Sequence, residues 1–144
     1  MTTTATTPTA PPRALDVTLW IAQGLLALML IGSGLFKLLT PLAQLAETFP
    51  WAGDVAPGVV YAAAAFDILG GLGVLLPSLT RIAPQLTVLA ALGCVALLAT
   101  AAVFHFSRGE GADTPINFVL IALALFVAWG RRSRAPIRAR SQAA

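Results

Sequence analysis

YAAAAFDILGGLGVLLP, residues 61–77, places one acid, Asp67, inside an otherwise apolar run. A carboxylate near the middle of a membrane helix costs roughly 2.5 to 3.5 kcal/mol on insertion scales, so it has to face other helices and find a partner among them. On a 3.6-residue period Ala63, Ala64, Gly70 and Gly71 share the face of Asp67, while Tyr61, Ile68, Leu72, Leu75 and Leu76 spread around the rest. The acid therefore lies on the stripe of small residues where a second helix can come close.

The whole chain supports a membrane reading. Of its 144 residues 58% are hydrophobic and 10% are charged, against about 25% charged in soluble domains. The apolar residues fall into four runs separated by Pro, Gly and charges, which makes one domain whose main solvent is lipid. The net charge of +3 arises mostly in the last fourteen positions and is a topology signal, not a nucleic-acid signal. Cys94 is the only cysteine, set within the third apolar run, so one chain can build no disulfide framework, CxxC redox pair or Cys-based metal site.

The expected organisation is all-α, an antiparallel four-helix membrane bundle with a short interfacial helix after the first span. Residues 1–14, rich in Thr, Pro and Ala, read as a disordered tail on the cytoplasmic side. They lack the short apolar core of a signal peptide. Residues 15–130 hold the membrane domain. Its spans are about Val17 to Leu39, Gly58 to Leu76 with an end at Pro77, Ile82 to Phe106, and Pro115 to Trp129. After the first span, Thr40 and Pro41 look like a helix start. Leu42, Leu45, Ala46 and Phe49 then make one apolar face, and Trp51 in the next loop suits the headgroup belt. Residues 131–144 form a basic cytoplasmic tail suited to anionic lipid. With both termini cytoplasmic, Arg13, Arg81, Arg131, Arg132, Arg134, Arg138 and Arg140 lie inside and only Lys37 and Arg108 outside, a positive-inside bias that Trp20 and Trp129 share. The expected location is the cell membrane.

In that orientation Lys37, His105 and Asn117 gather near the outer boundary, and Asp67 lies about nine residues, ~13 Å, below it. A lysine stem pointing inward could close the gap, and Ser33 and Gly34 give Lys37 a small-residue face of its own. Four polar groups from four helices in one half of a bundle form a candidate site. Two other readings stand beside it: Asp67 paired with Lys37 to fix helix register, and Lys37 snorkelling to the headgroups. No ligand spacing supports a metal, and no Ser/His/Asp arrangement, phosphate loop or HExxH helix occurs. The catalytic residues, if any, are not marked.

GSGLFKL at the end of span one, AFDILGGLGVLLP, VFHFSRGEG closing span three and INFVLIALALFVAWGR as span four together resemble the DoxX-like small membrane proteins. The resemblance implies a four-helix membrane bundle. Members related to the founding one act as the quinone-linked membrane subunit of thiosulfate oxidation, and others are associated with oxidative-stress complexes. Members often carry Glu where this chain has Asp67. The function so expected is an accessory or assembly subunit of a membrane-associated redox complex. The alternative is a quinone-linked oxidoreductase subunit with quinone as cofactor, and a small-molecule or ion passage comes last. The expected partners are the bilayer and a protein partner or second copy.

Overall fold

The computed structural model describes residues 11–142, so most of the expected N-terminal tail lies outside the described residues. Six α-helices follow in order: α1 Arg13–Leu39, α2 Leu42–Thr48, α3 Trp51–Asp54, α4 Pro57–Thr80, α5 Gln85–Ser107 and α6 Pro115–Trp129. The four long ones are long and apolar enough to cross a membrane, the last of them counted through Arg134. They close a ring in which α1 packs on α4, α4 on α5, α5 on α6 and α6 on α1. This is a multi-pass all-α bundle. One end carries the start of α1 and the end of α6; the other, the loop end, carries α2 and α3.

Local chemistry sets the helix boundaries. Pro12 opens α1 with a carbonyl that accepts the N–H groups of Leu15 and Asp16, and Asp16 places a negative charge against the positive end of the helix. Pro41, with no N–H to donate, stops α1 after Leu39 and starts α2. Pro57 stands in the first turn of α4, where a missing donor costs nothing.

The expected stop at Pro77 is corrected: α4 runs through the proline to Thr80. A proline ring inside a helix removes one backbone bond but leaves the following residues free to continue the ladder, and membrane helices absorb this more readily than soluble ones. Termination falls instead at Arg81, a non-glycine residue at φ 58°, whose N–H bonds to the Pro77 carbonyl at 3.0 Å. The extra turn carries Ser78 into the interior.

Lipid tails are as apolar as leucine, so the helices are held by close packing and interhelical hydrogen bonds more than by hydrophobic exclusion. Gly34 on α1 shows the closeness. A Cβ there would stand 2.6 Å from the backbone oxygen of Ala64 and 3.3 Å from the Cβ of Asp67. Gly71 on α4 returns the favour, with the Ala27 carbonyl 3.0 Å from where its Cβ would be. Between the two ends lies a purely apolar layer built from Leu26, Leu30, Val74, Cys94, Leu98 and Ala124.

Below that layer, toward the termini, is a second polar cluster. Gln23 is fully buried and donates to the Val74 carbonyl at 2.9 Å and to Ser78 Oγ at 3.0 Å, and Ser78 shares a hydrogen bond with Thr87 at 2.8 Å. Gln23 Oε1 accepts from Arg131 Nε at 2.6 Å, and Arg131 Nη1 meets Asp16 at 2.5 Å. The expected tail is corrected here. A π-helical turn, Gly130–Arg134, prolongs α6, and it carries Arg131 back into the bundle against Trp20, its Cζ 5.0 Å from the ring centroid. A cation with three hydrogen-bonding partners and an aromatic face is more stable there than its place in a run of arginines suggested.

Candidate functional site

Lys37 stands in the last turn of α1 and Asp67 near the middle of α4. Each lies on the face where small residues let the two helices touch. The lysine stem reaches down to put Nζ 2.5 Å from Asp67 Oδ2. Ser33, one turn before Lys37, ties the pair together: its Oγ donates to the same carboxylate oxygen at 3.0 Å and accepts from Lys37 Nζ at 2.8 Å. Both side chains are largely buried, 14% and 10% exposed. Of the two readings left open for Lys37, pairing with Asp67 and snorkelling to the headgroups, the structure has the first.

His105 and Asn117 come from the facing pair of helices. His105 lies in the last turn of α5, and Nδ1 is 2.8 Å from Glu110 Oε2. Glu110 also accepts from Arg108 Nε at 2.8 Å, and Arg108 Nη2 reaches Asp54 on α3 at 2.6 Å. This chain of charges ties α3 to the end of α5. Hydrogen bonding from His105, and then from Arg108, holds the Glu110 carboxyl below its ordinary range, although burial works the other way. Arg108 is pushed further up by its bonds to Asp54 and Glu110.

An ionised Glu110 fixes the imidazole so that Nδ1 carries a proton and donates it. Nε2 then serves the other side of the ring, with a lone pair when the ring is neutral and an N–H when it is charged. Asn117 enters at the first turn of α6, after Pro115, and is buried to 9% exposure. Among the described residues no hydrogen bond engages its side-chain amide.

All four expected residues line one cavity of about 510 Å³ in the loop-end half of the bundle. Its body is apolar, walled by side chains such as Leu30, Ala63, Leu98 and Leu120. Met29, Val59 and Ile116 border it and are about half exposed on the outside of the bundle, so the wall opens toward lipid. Phe49 and Trp51 roof it. Trp51 is a correction: instead of lying in the headgroup belt it is buried, stacked edge-on against Phe104 at 5.9 Å and His105 at 6.3 Å. The short helix α3 and the Asp54–Arg108 pair pin it there.

A profile of the DoxX-like family matches residues 21–127, from the first span to the last. The chain belongs to the DoxX-like family. No curated protein and no solved structure matches it. In this DoxX-like protein the matched segment takes in Lys37, Asp67, His105 and Asn117, together with Ser33, Trp51 and Glu110, which the sequence reading did not assign to the site. A signal for Ser33 was present in its i, i+4 spacing to Lys37, and for Glu110 in its place five residues after His105. Trp51 had none, because its burial depends on how α2 and α3 fold back over the bundle.

Proposed function

We propose that this DoxX-like protein serves a membrane-associated redox complex as the subunit that seats a quinone-type headgroup in the loop-end cavity. The observation that carries the reading is the Asn117 amide. The residue is nine-tenths buried, its amide uses no protein partner among the described residues, and it borders an apolar cavity that also meets Lys37, Asp67 and His105. The amide stays accessible to the cavity, so it offers a donor and an acceptor to whatever enters there. A flat ring with an acceptor oxygen at each end, carried on a long apolar tail, suits a site of a few hundred Å³ with few polar groups and an opening to lipid.

In this role Asn117 donates to one ring oxygen and the His105 ring addresses another. The tail leaves past Met29 or Ile116 into the bilayer. A bound quinone supplies two-electron, two-proton chemistry, and the electrons come from a partner protein. The chain's own part is to manage protons. Asp67 Oδ2, held by Lys37 and Ser33, is a proton acceptor inside the cavity, and the His105 Nδ1 to Glu110 contact connects the cavity to the loop-end surface.

The test is purification in mild detergent, with identification of co-purifying lipid-soluble cofactors and proteins, followed by titration with a short-chain quinone read by quenching of Trp51. Asn117→Leu should weaken binding by about tenfold, the worth of one well-made hydrogen bond. Unchanged affinity would remove the proposal.

A second reading, an assembly subunit with no ligand, draws on the closed Lys37–Asp67 pair, which needs nothing from outside. It predicts that Asp67→Leu abolishes association with a partner while Asn117→Leu has no effect. The apolar layer between the polar clusters speaks against a passage. We also read both termini as cytoplasmic, on the strength of the arginines at that end; a periplasmic-type reporter fused after Arg140 that becomes active would reverse this.

A further inference from the structure

At the terminal end, away from the cavity, a second cleft of about 420 Å³ separates the start of α5 from the C-terminal segment. Val88, Leu89 and Leu92 form one wall, and Pro136 and Ile137 the other. Arg131 and Arg132 border it. We propose that this cleft holds the phosphate headgroup of an anionic phospholipid, with an acyl chain lying along α5.

Three observations carry this. The first is Arg131. Its Nε and Nη1 are taken by Gln23, Asp16 and the Ala135 carbonyl, but Nη2 is the only buried side-chain nitrogen or oxygen among the described residues with no hydrogen-bond partner. Trp20 covers a face of the guanidinium, and stacking does not answer an N–H that lies in the guanidinium plane. A phosphate oxygen in the cleft that Arg131 borders would, once the cleft wall shifts enough to uncover Nη2, which is closed off here.

The second is charge. The terminal end has seven arginines, and Asp16 is its only acid. A field of that sign selects an anionic headgroup over a zwitterionic one, and basic pockets between membrane helices are a recurrent form of lipid recognition. The third is depth. The cleft lies where α5 begins and the α6 turn ends, and Leu89 and Leu92 continue it down the outer surface of α5, exposed to lipid. Head and tail of one lipid thus meet arginine and leucine in the right order, which a free phosphate would not exploit.

The experiment uses the full chain in bilayer discs of equal phosphatidylglycerol and phosphatidylcholine, transferred to detergent, with retained lipid counted by mass spectrometry. Phosphatidylglycerol should be retained preferentially. Arg132→Gln should reduce it about fivefold. Arg134→Gln, whose side chain instead stacks on Trp129, should not. Because Arg131→Gln threatens the fold, the second probe is Ile137→Asp, which sets a negative charge in the cleft wall and should also release the lipid. Equal retention of the two lipids, equal loss in Arg132→Gln and Arg134→Gln, or displacement by millimolar inorganic phosphate would each overturn the proposal.

Discussion

Removing one partner of the Lys37–Asp67 pair should be far worse than removing both. The two groups are 2.5 Å apart, each is at most about one-seventh exposed, and among the described residues Ser33 adds the only other hydrogen bond to the shared oxygen. Lys37→Met leaves a carboxylate in the bundle with one hydroxyl for company, and Asp67→Leu leaves an ammonium facing the same apolar wall. Each single change should cost about 3 to 5 kcal/mol, the range for a stranded buried charge. The double change strands nothing and restores apolar packing. Its cost should fall below the sum of the singles by about 2 to 3 kcal/mol, the upper range for residues in contact. Leucine also crowds Gly34, but that steric cost occurs in both the single and the double variant and cancels in the cycle. Unfolding in mixed micelles by a denaturing detergent, followed by circular dichroism and by Trp fluorescence, gives the four free energies. Additivity within about 0.5 kcal/mol would refute the pair as an energetic unit.

Gly34→Ala should destabilise by about 1 to 3 kcal/mol in the same assay, because a methyl there meets the backbone of α4, which cannot move aside. Gly32→Ala, with nothing within 4 Å, should be neutral or slightly stabilising, and equal effects would discount close packing at this seam. Glu110 gives a pH signature. Its carboxyl is depressed in the folded protein, so the stabilisation it brings is complete above the ordinary carboxylate value of about 4.3 and drains as the pH falls through its lower folded value. Trp51 emission, in a background with Trp20 and Trp129 changed to Phe, should report loosening of the roof over that acid range, and Glu110→Gln should flatten the profile. Gln23→Leu should cost about 2 to 4 kcal/mol because it strands Arg131 Nε and removes one hydrogen bond each from the Val74 carbonyl and from Ser78, which keeps Thr87. Glu47→Leu, on the exposed face of α2, should change stability by less than about 0.5 kcal/mol, and a comparable loss would point to an unrecognised contact.

Periodicity and depth carried the reading of the bundle a long way. Asp67 could be placed because lipid makes a charge expensive, and the four small residues on its face named the helix surface that α1 would touch. Stem length lets Lys37 reach that acid, but the same stem also allows it to snorkel, so the sequence alone leaves both open. What the sequence did not carry was the placement of segments outside the long spans, which fold back over the bundle ends. Arg131 stands in a run of arginines and looks like tail, yet its partners are 108 and 115 positions away at Gln23 and Asp16. No local pattern encodes that. Trp51 was placed by residue type, since tryptophan favours interfaces, but type cannot say that α3 would press it down onto Phe104 and His105. Pro77 was read as a stop because its local cost is high, and the helix continued because the interior gains Ser78.

The apolar layer between the two polar clusters has an electrical consequence. From Gln23 to Ser33 is ten residues of α1, ~15 Å of helix rise, occupied inside by leucine, valine, alanine and one thiol. Such a layer is an insulator. Under the proposed role, a proton taken up at Asp67 or His105 must come from the loop-end compartment and go back to it, because no wire of side chains leads to the other side. When the partner also delivers its electrons from the loop-end side, turnover would then move no net charge through the membrane field, whose pull is about 2.3 kcal/mol per charge per 100 mV. A rate indifferent to membrane voltage is then the signature of same-side electron delivery, and a voltage-dependent rate that of a donor on the far side.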